Sequence, residues 1–213
     1  MRLSIFYIVI LSFFQLGCSE NKSDDSPGSL PHLEFEKLSS YLLSDFDLPS
    51  DVAYWEARRG SLPQSEWRDS IGYSYEDDLL FSFDEIALEA LTVQQKDSLN
   101  QADSEYGFSS QCQPSYCPIY GVSILGDSAV VISSDSDLLA HFGNIDTVAE
   151  LHFWLWAQSY NAKFYQEVGG GYLVVVGWDN LCGTRGEDLL YVDYNGTITK
   201  QREISTEEYS GCV

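Results

Sequence analysis

The 213 residues carry 33 Asp and Glu against 11 Lys and Arg, a formal net charge of -22. That balance excludes nucleic acid as a partner, because phosphate recognition needs clustered cations. An apolar fraction of 44%, with 14% aromatic residues, can bury a core and so excludes a disordered chain.

At the amino terminus Arg2 is the sole charge before the apolar stretch Leu3 to Phe14. That stretch is shorter than the roughly 18–20 residues a helix needs to cross a bilayer. A charged start, a short apolar run and a small residue before the cut predict a secretory signal. Leu16-Gly17-Cys18 at its end resembles the lipobox of bacterial lipoproteins, with Gln15 departing from the usual Leu. The resemblance implies a signal peptide over residues 1–17 and a diacylated, palmitate-type anchor on Cys18, which becomes the first mature residue. Loss of Arg2 then leaves 10 basic residues of the 11 against the same 33 acids. Ser19 after the Cys is similar to the outer-membrane class. Residues 18–29 are polar and acidic with Pro27 and Gly28, which predicts a flexible tether. Its acidic run is also similar to surface-export tethers of some Bacteroidetes lipoproteins, so periplasmic and cell-surface orientations both stay open.

Residues 30–213 are expected to form a single compact domain, helical over 30–107 and sheet-rich over 118–213. Leu33, Leu38, Tyr41 and Leu42 recur at helical intervals. Pro49-Ser50-Asp51, with Ser50 as N-cap, opens a second expected helix that Gly60 closes after Arg58-Arg59. A short helix is expected over 63–71, and a helix-rich stretch over 84–102 broken where Thr92 caps a new turn. Two apolar strands, 119–125 and 129–133, join through Gly126-Asp127. Helices over 136–142, closed by Gly143, and over 148–161 follow, the second opened by the capping-box spacing of Thr147 and Glu150. Strands over 164–168, 172–178, 188–193 and 197–204 complete the chain, the last two joined by the hairpin pair Asn195-Gly196. The expected class is α+β: N-terminal helices followed by a mostly antiparallel sheet with helices packed on one face. The C-terminal half, with its Gly143-Asn-Ile-Asp-Thr147 helix start, also resembles bacterial lipoproteins that carry no known activity.

Cys112, Cys117, Cys182 and Cys212 are an even number in a chain read as exported, which predicts structural disulfides. In a meander the strand ending near Trp178 leaves Cys182 at the edge where the strand ending near Ile204 emerges. That favours Cys182–Cys212, with Cys112–Cys117 as the other pair. Zinc is disfavoured, because the spacing lacks the close pairs of a knuckle, and a redox role lacks a C-x-x-C.

No nucleophile elbow, zinc helix, phosphate loop or dinucleotide fingerprint is present. Gly169-Gly170-Gly171 reads as a turn needing positive φ. Of the histidines, His32 borders the tether, His141 sits late in a helix where its charge suits the C-terminus, and His152 lies in a helix apolar nearly all round. Asp45/Asp47, Asp77/Asp78, Asp84/Glu85 and Asp135/Asp137 are paired acids. Density alone makes none of them a glycosidase pair or calcium site, and Ser134, Asp135 and Asp137 read as helix capping. Trp55, Trp67 and Trp178 are core or stacking candidates. Asn195-Gly196-Thr197 matches a glycosylation sequon that a bacterial address leaves unused.

The expected function is therefore a non-enzymatic, lipid-anchored envelope protein with no metal or cofactor. It would be a structural or binding module, with a basic protein as the partner its charge suits. The alternative is a hydrolase of envelope or extracellular polymers using carboxylates or His152.

Overall fold

The computed structural model describes residues 34–60, 81–82, 84–110, 118–180 and 182–212. The described chain begins in strands: β1 (Glu36–Lys37), β2 (Tyr41–Leu42), a 3-10 turn at Leu43–Asp45, β3 (Val52–Arg59) and β4 (Phe81–Ser82). Two short helices follow, α1 (Glu85–Ala90) and α2 (Val93–Gln101), then β5 (Ser109–Ser110), β6 (Pro118–Leu125) and β7 (Ser128–Ile132). Helices α3 (Asp135–Phe142) and α4 (Val148–Ala157) lead into β8 (Asn161–Val168), β9 (Gly171–Asp179), β10 (Cys182–Asp193) and β11 (Ile198–Cys212).

The strands make an antiparallel five-stranded sheet in the order β1-β8-β9-β10-β11 and a smaller one in which β6 pairs β3, β5 and β7. A parallel two-residue pairing of β2 with β4 stands apart. Helix α4 lies between the two sheets. One core cluster joins its Leu151, Phe153 and Leu155 to Trp55, Ala57 and Ile119 of the small sheet and to Tyr172, Val174, Val176, Leu190 and Val192 of the large one. A second cluster, on the far face of the small sheet, packs Tyr54, Tyr120, Val122 and Ile124 against Leu91 and Leu99 of the α1–α2 region. The layers therefore run large sheet, α4, small sheet, α1–α2. That arrangement explains why α4 is apolar nearly all round: both flanks are covered. Each fully buried Leu or Phe in it contributes about 2 kcal/mol.

This architecture corrects the expected class. The chain is mostly β, and its helices follow strands instead of preceding them. The stretch expected to open with helices is an extended strap, fixed where the Leu38 amide bonds the Lys163 carbonyl at 3.0 Å. Pro49-Ser50-Asp51 is a turn, closed by the Val52 amide on the Pro49 carbonyl at 2.9 Å. The next segment is β3 because both of its faces are buried: Trp55 and Ala57 point to α4, and Tyr54, Glu56 and Arg58 to α2. A strand covered on both faces loses the apolar–polar alternation that announces a strand. The segment expected as a helix over 63–71 lies outside the described residues.

The capping and turn signals from Thr92 onward are realised, whereas the helix expected over 148–161 ends at Ala157 and β8 begins at Asn161. Thr92 and Thr147 cap α2 and α4 through reciprocal bonds with Gln95 and Glu150. Gly126 (φ 59°) turns β6 into β7, Gly143 (φ 77°) ends α3, and Gly196 (φ 79°) turns β10 into β11. Gly170 (φ 87°) turns β8 into β9, as the triple-glycine run predicts.

Candidate functional site

The densest polar constellation among the described residues lies between the small sheet and α2. The Arg58 guanidinium donates to Glu56 Oε1 from Nε at 2.8 Å and from Nη2 at 2.6 Å, and the Tyr54 hydroxyl donates to Glu56 Oε2 at 2.8 Å. Arg58 also donates to the carbonyls of Leu99 at 2.7 Å and Ala102 at 2.5 Å, satisfying the C-terminal end of α2. Tyr120 extends the group to the surface, its hydroxyl donating to Asp103 at 3.0 Å. Burial pushes the Tyr120 phenol above its ordinary value, Asp103 adds to the rise, and Arg58 opposes it. Glu56 is fully buried and Arg58 is 4% exposed. With both carboxylate oxygens accepting from these neighbours, the arrangement fixes α2 on the sheet. Sequence reasoning missed Glu56; the available signal was an acid and a base two apart, which share one face of a strand.

The two described histidines, His141 and His152, lie against aromatic rings. His152 is 3% exposed, edge-on to Tyr41 (5.8 Å between ring centroids) and against Phe81 (5.1 Å). Its ring bonds the backbone of Ser39, and Nδ1 is buried with no hydrogen-bond partner. Desolvation lowers its pKa to about 4. A neutral ring in an aromatic cage gives the hydrolase alternative no solvent-accessible base at this position. His141, in the last turn of α3, meets Trp55 at a tilt with ring centroids 5.6 Å apart, and desolvation lowers it to about 4 as well. It is uncharged at neutral pH, so the expected favourable charge at that helix end is not present. His32 lies outside the described residues.

Several of the acids accept from backbone amides. Asp84 caps α1 by accepting from the Ala87 amide at 3.0 Å. Asp45 accepts from the Leu42 amide at 2.9 Å. Ser134 caps α3, and Asp137 both donates its amide to Ser134 Oγ at 3.2 Å and accepts from that hydroxyl at 2.7 Å. Fully buried Glu150 accepts from the amides of Asp47 (2.9 Å), Asp146 (3.1 Å) and Thr147 (3.0 Å), so one carboxylate pins the strap to the start of α4. Burial raises its pKa and these bonds oppose the rise. No group of three or more His, Cys, Asp or Glu among the described residues could hold a metal ion. Trp55 is core, Trp178 is half-buried over Gly186, and Trp67, Asp77 and Asp78 lie outside the described residues.

Cys18, Cys112 and Cys117 also lie outside the described residues. Cys182 and Cys212 are direct partners in the antiparallel register of β10 with β11. No family model matches the chain, and neither a curated protein nor a solved structure is found to be similar to it.

Proposed function

We propose that the chain is an exported lipoprotein, acylated at Cys18, that holds an acidic β-rich module at a bacterial outer membrane to bind a basic protein. The observation that carries this reading is Leu16-Gly17-Cys18 at the end of an apolar run with one cation, followed at once by a polar, acidic tether. The charge supports the partner's chemistry. A chain at -22 steers cationic surfaces toward it and repels anionic ones. The fully buried carboxylates of Glu56 and Glu150 are occupied by internal bonds, and the exposed carboxylates are the surface a partner meets.

Metabolic labelling with a fatty acid tests the address. The parent chain takes up label and Cys18→Ala does not; label on the variant refutes acylation at that position. Pull-down from envelope extracts tests the partner. A basic protein retained at low salt and released by about 0.5 M salt, where screening acts over a few ångströms, is the expected result. Retention indifferent to salt, or no retained protein, refutes the electrostatic partner.

A further inference from the structure

The register of the large sheet brings Cys182, at the start of β10, opposite Cys212, at the end of β11, beyond the pair Thr184–Glu208. Opposed residues in an antiparallel ladder have Cα atoms about 4.5–5.5 Å apart. A disulfide spans about 4.4–6.8 Å between Cα atoms, so the ladder spacing suits one.

Among the described residues, the same end of the sheet has little else to hold it. Strand β11 runs 15 residues, and none of its described side chains, Ile198 to Tyr209, is buried. In β10 burial begins only at Leu189. Arg185 and Glu207 meet at 3.0 Å with side chains 62% and 64% exposed, a pairing that adds little in water. The Tyr209 hydroxyl donates to Asp179 at 2.7 Å, also at the surface. Register shifts interrupt the β10–β11 ladder between Cys182 and Thr184, Glu187 and Asp188, and Leu189 and Leu190. A long edge strand with three interruptions and no buried side chain among those described gains little from packing.

We propose that Cys182 and Cys212 form a disulfide clasp, and that this clasp makes the outer β10–β11 ladder ordered when oxidised and frayed when reduced. One cysteine thiolate attacks a small-molecule disulfide such as glutathione disulfide and releases one thiol. The second cysteine thiolate then displaces the other thiol from the mixed disulfide. Two protein thiols are oxidised and one small disulfide is reduced to two thiols. Formation in the cell rests on the exported address proposed above; the register does not.

The test uses the detergent-solubilised full chain equilibrated in a glutathione redox buffer, alkylated, cut with trypsin and mapped by mass spectrometry. Cleavage after Lys96, Lys163, Arg185, Lys200 and Arg202 places Cys182, Cys212 and the pair Cys112 and Cys117 on three separate peptides. The expected product joins peptide 164–185 to peptide 203–213. Linkage of either one to peptide 97–163, or alkylation of both Cys182 and Cys212, overturns the clasp. Hydrogen exchange tests its role. In Cys212→Ser, the amides of Thr206 to Glu208 exchange about tenfold faster or more, while Val174 and Val176 in β9 do not change. Unchanged exchange at Thr206 to Glu208 overturns the role. If the link forms in the redox buffer but the chain taken from cells has both thiols free, the clasp stands and the exported address fails.

Discussion

At the scale of single residues, Arg58 carries more of the fold than its place on a short strand suggests. It pairs with Glu56 and satisfies the carbonyls of Leu99 and Ala102, so removing it leaves a buried carboxylate, a buried carbonyl and a part-buried one without those partners. Arg58→Met should destabilise the protein by about 3–5 kcal/mol, read as a fall in the urea midpoint. Pairing it with Glu56→Leu should recover part of that loss, because the stranded charge goes too. Additive single losses would show that the two side chains do not act as a unit. Gly196 is a different case. Its φ is 79°, and a Cβ there would lie 2.5 Å from Leu139 Cδ2. Gly196→Ala should cost about 1–2 kcal/mol from left-handed strain, plus a shift of the flexible Leu139 tip. A variant as stable as the parent would show that the turn can adopt another shape.

At the scale of elements, the start of α4 separates two kinds of cap. Thr147 satisfies one amide of the helix, that of Glu150, at 3.2 Å. Glu150 satisfies three amides, one of them, Asp47, 103 residues away in sequence. Thr147→Ala should therefore cost about 1 kcal/mol, and Glu150→Ala about 2–3 kcal/mol, because the second takes the acceptor from three part-buried amides across two segments. Thermal unfolding of both variants checks the order; equal losses would mean that the strap gains nothing from Glu150. The same contrast marks what the sequence could reveal. The Thr147–Glu150 spacing, the turn at Gly126-Asp127 and the hairpin at Asn195-Gly196 are short-range chemistry, and each was legible. The long-range bond from Glu150 to Asp47 leaves no local trace. Strand β3 was misread because its far face buries Glu56 and Arg58, so charged letters stand where a strand's buried face would show apolar ones. Only the partners supplied by α2 make those letters compatible with burial, and α2 lies some 40 residues downstream, as the 41-residue separation of Arg58 from Leu99 shows. At the candidate site, the aromatic run around His152 announced a core histidine, and the structure cages it accordingly. His141 meets Trp55 of β3, a long-range contact that no spacing in α3 could disclose.

At the scale of the whole molecule, two opposing charge effects set the response to acid. His141 and His152 titrate near 4 in the folded protein against 6.5 ordinarily, because burial disfavours the charged ring. Between those values the unfolded chain takes up protons that the folded one refuses. Their contribution to stability is therefore complete above about pH 6.5 and falls as the pH drops, by up to about 3 kcal/mol for each ring near pH 4. Glu150 acts in the opposite sense. Its raised pKa means that the folded form holds a proton more readily than the unfolded one, so this group favours the fold as the pH drops through the carboxylate range. Relief of the repulsion within a chain at -22 also favours the fold on acidification, but salt screens that repulsion and leaves the buried rings almost untouched. In about 0.5 M salt the histidines should dominate, and the urea midpoint should fall between pH 7 and pH 4.5. His141→Phe keeps a ring on Trp55 and His152→Gln keeps an amide donor for the backbone of Ser39, so the double variant should flatten that decline. At low salt the parent's decline should be shallower, because relief of repulsion then offsets part of the histidine loss. A double variant that declines as steeply as the parent in high salt would mean that these two rings do not govern the acid response, and that the carboxylates of the surface do.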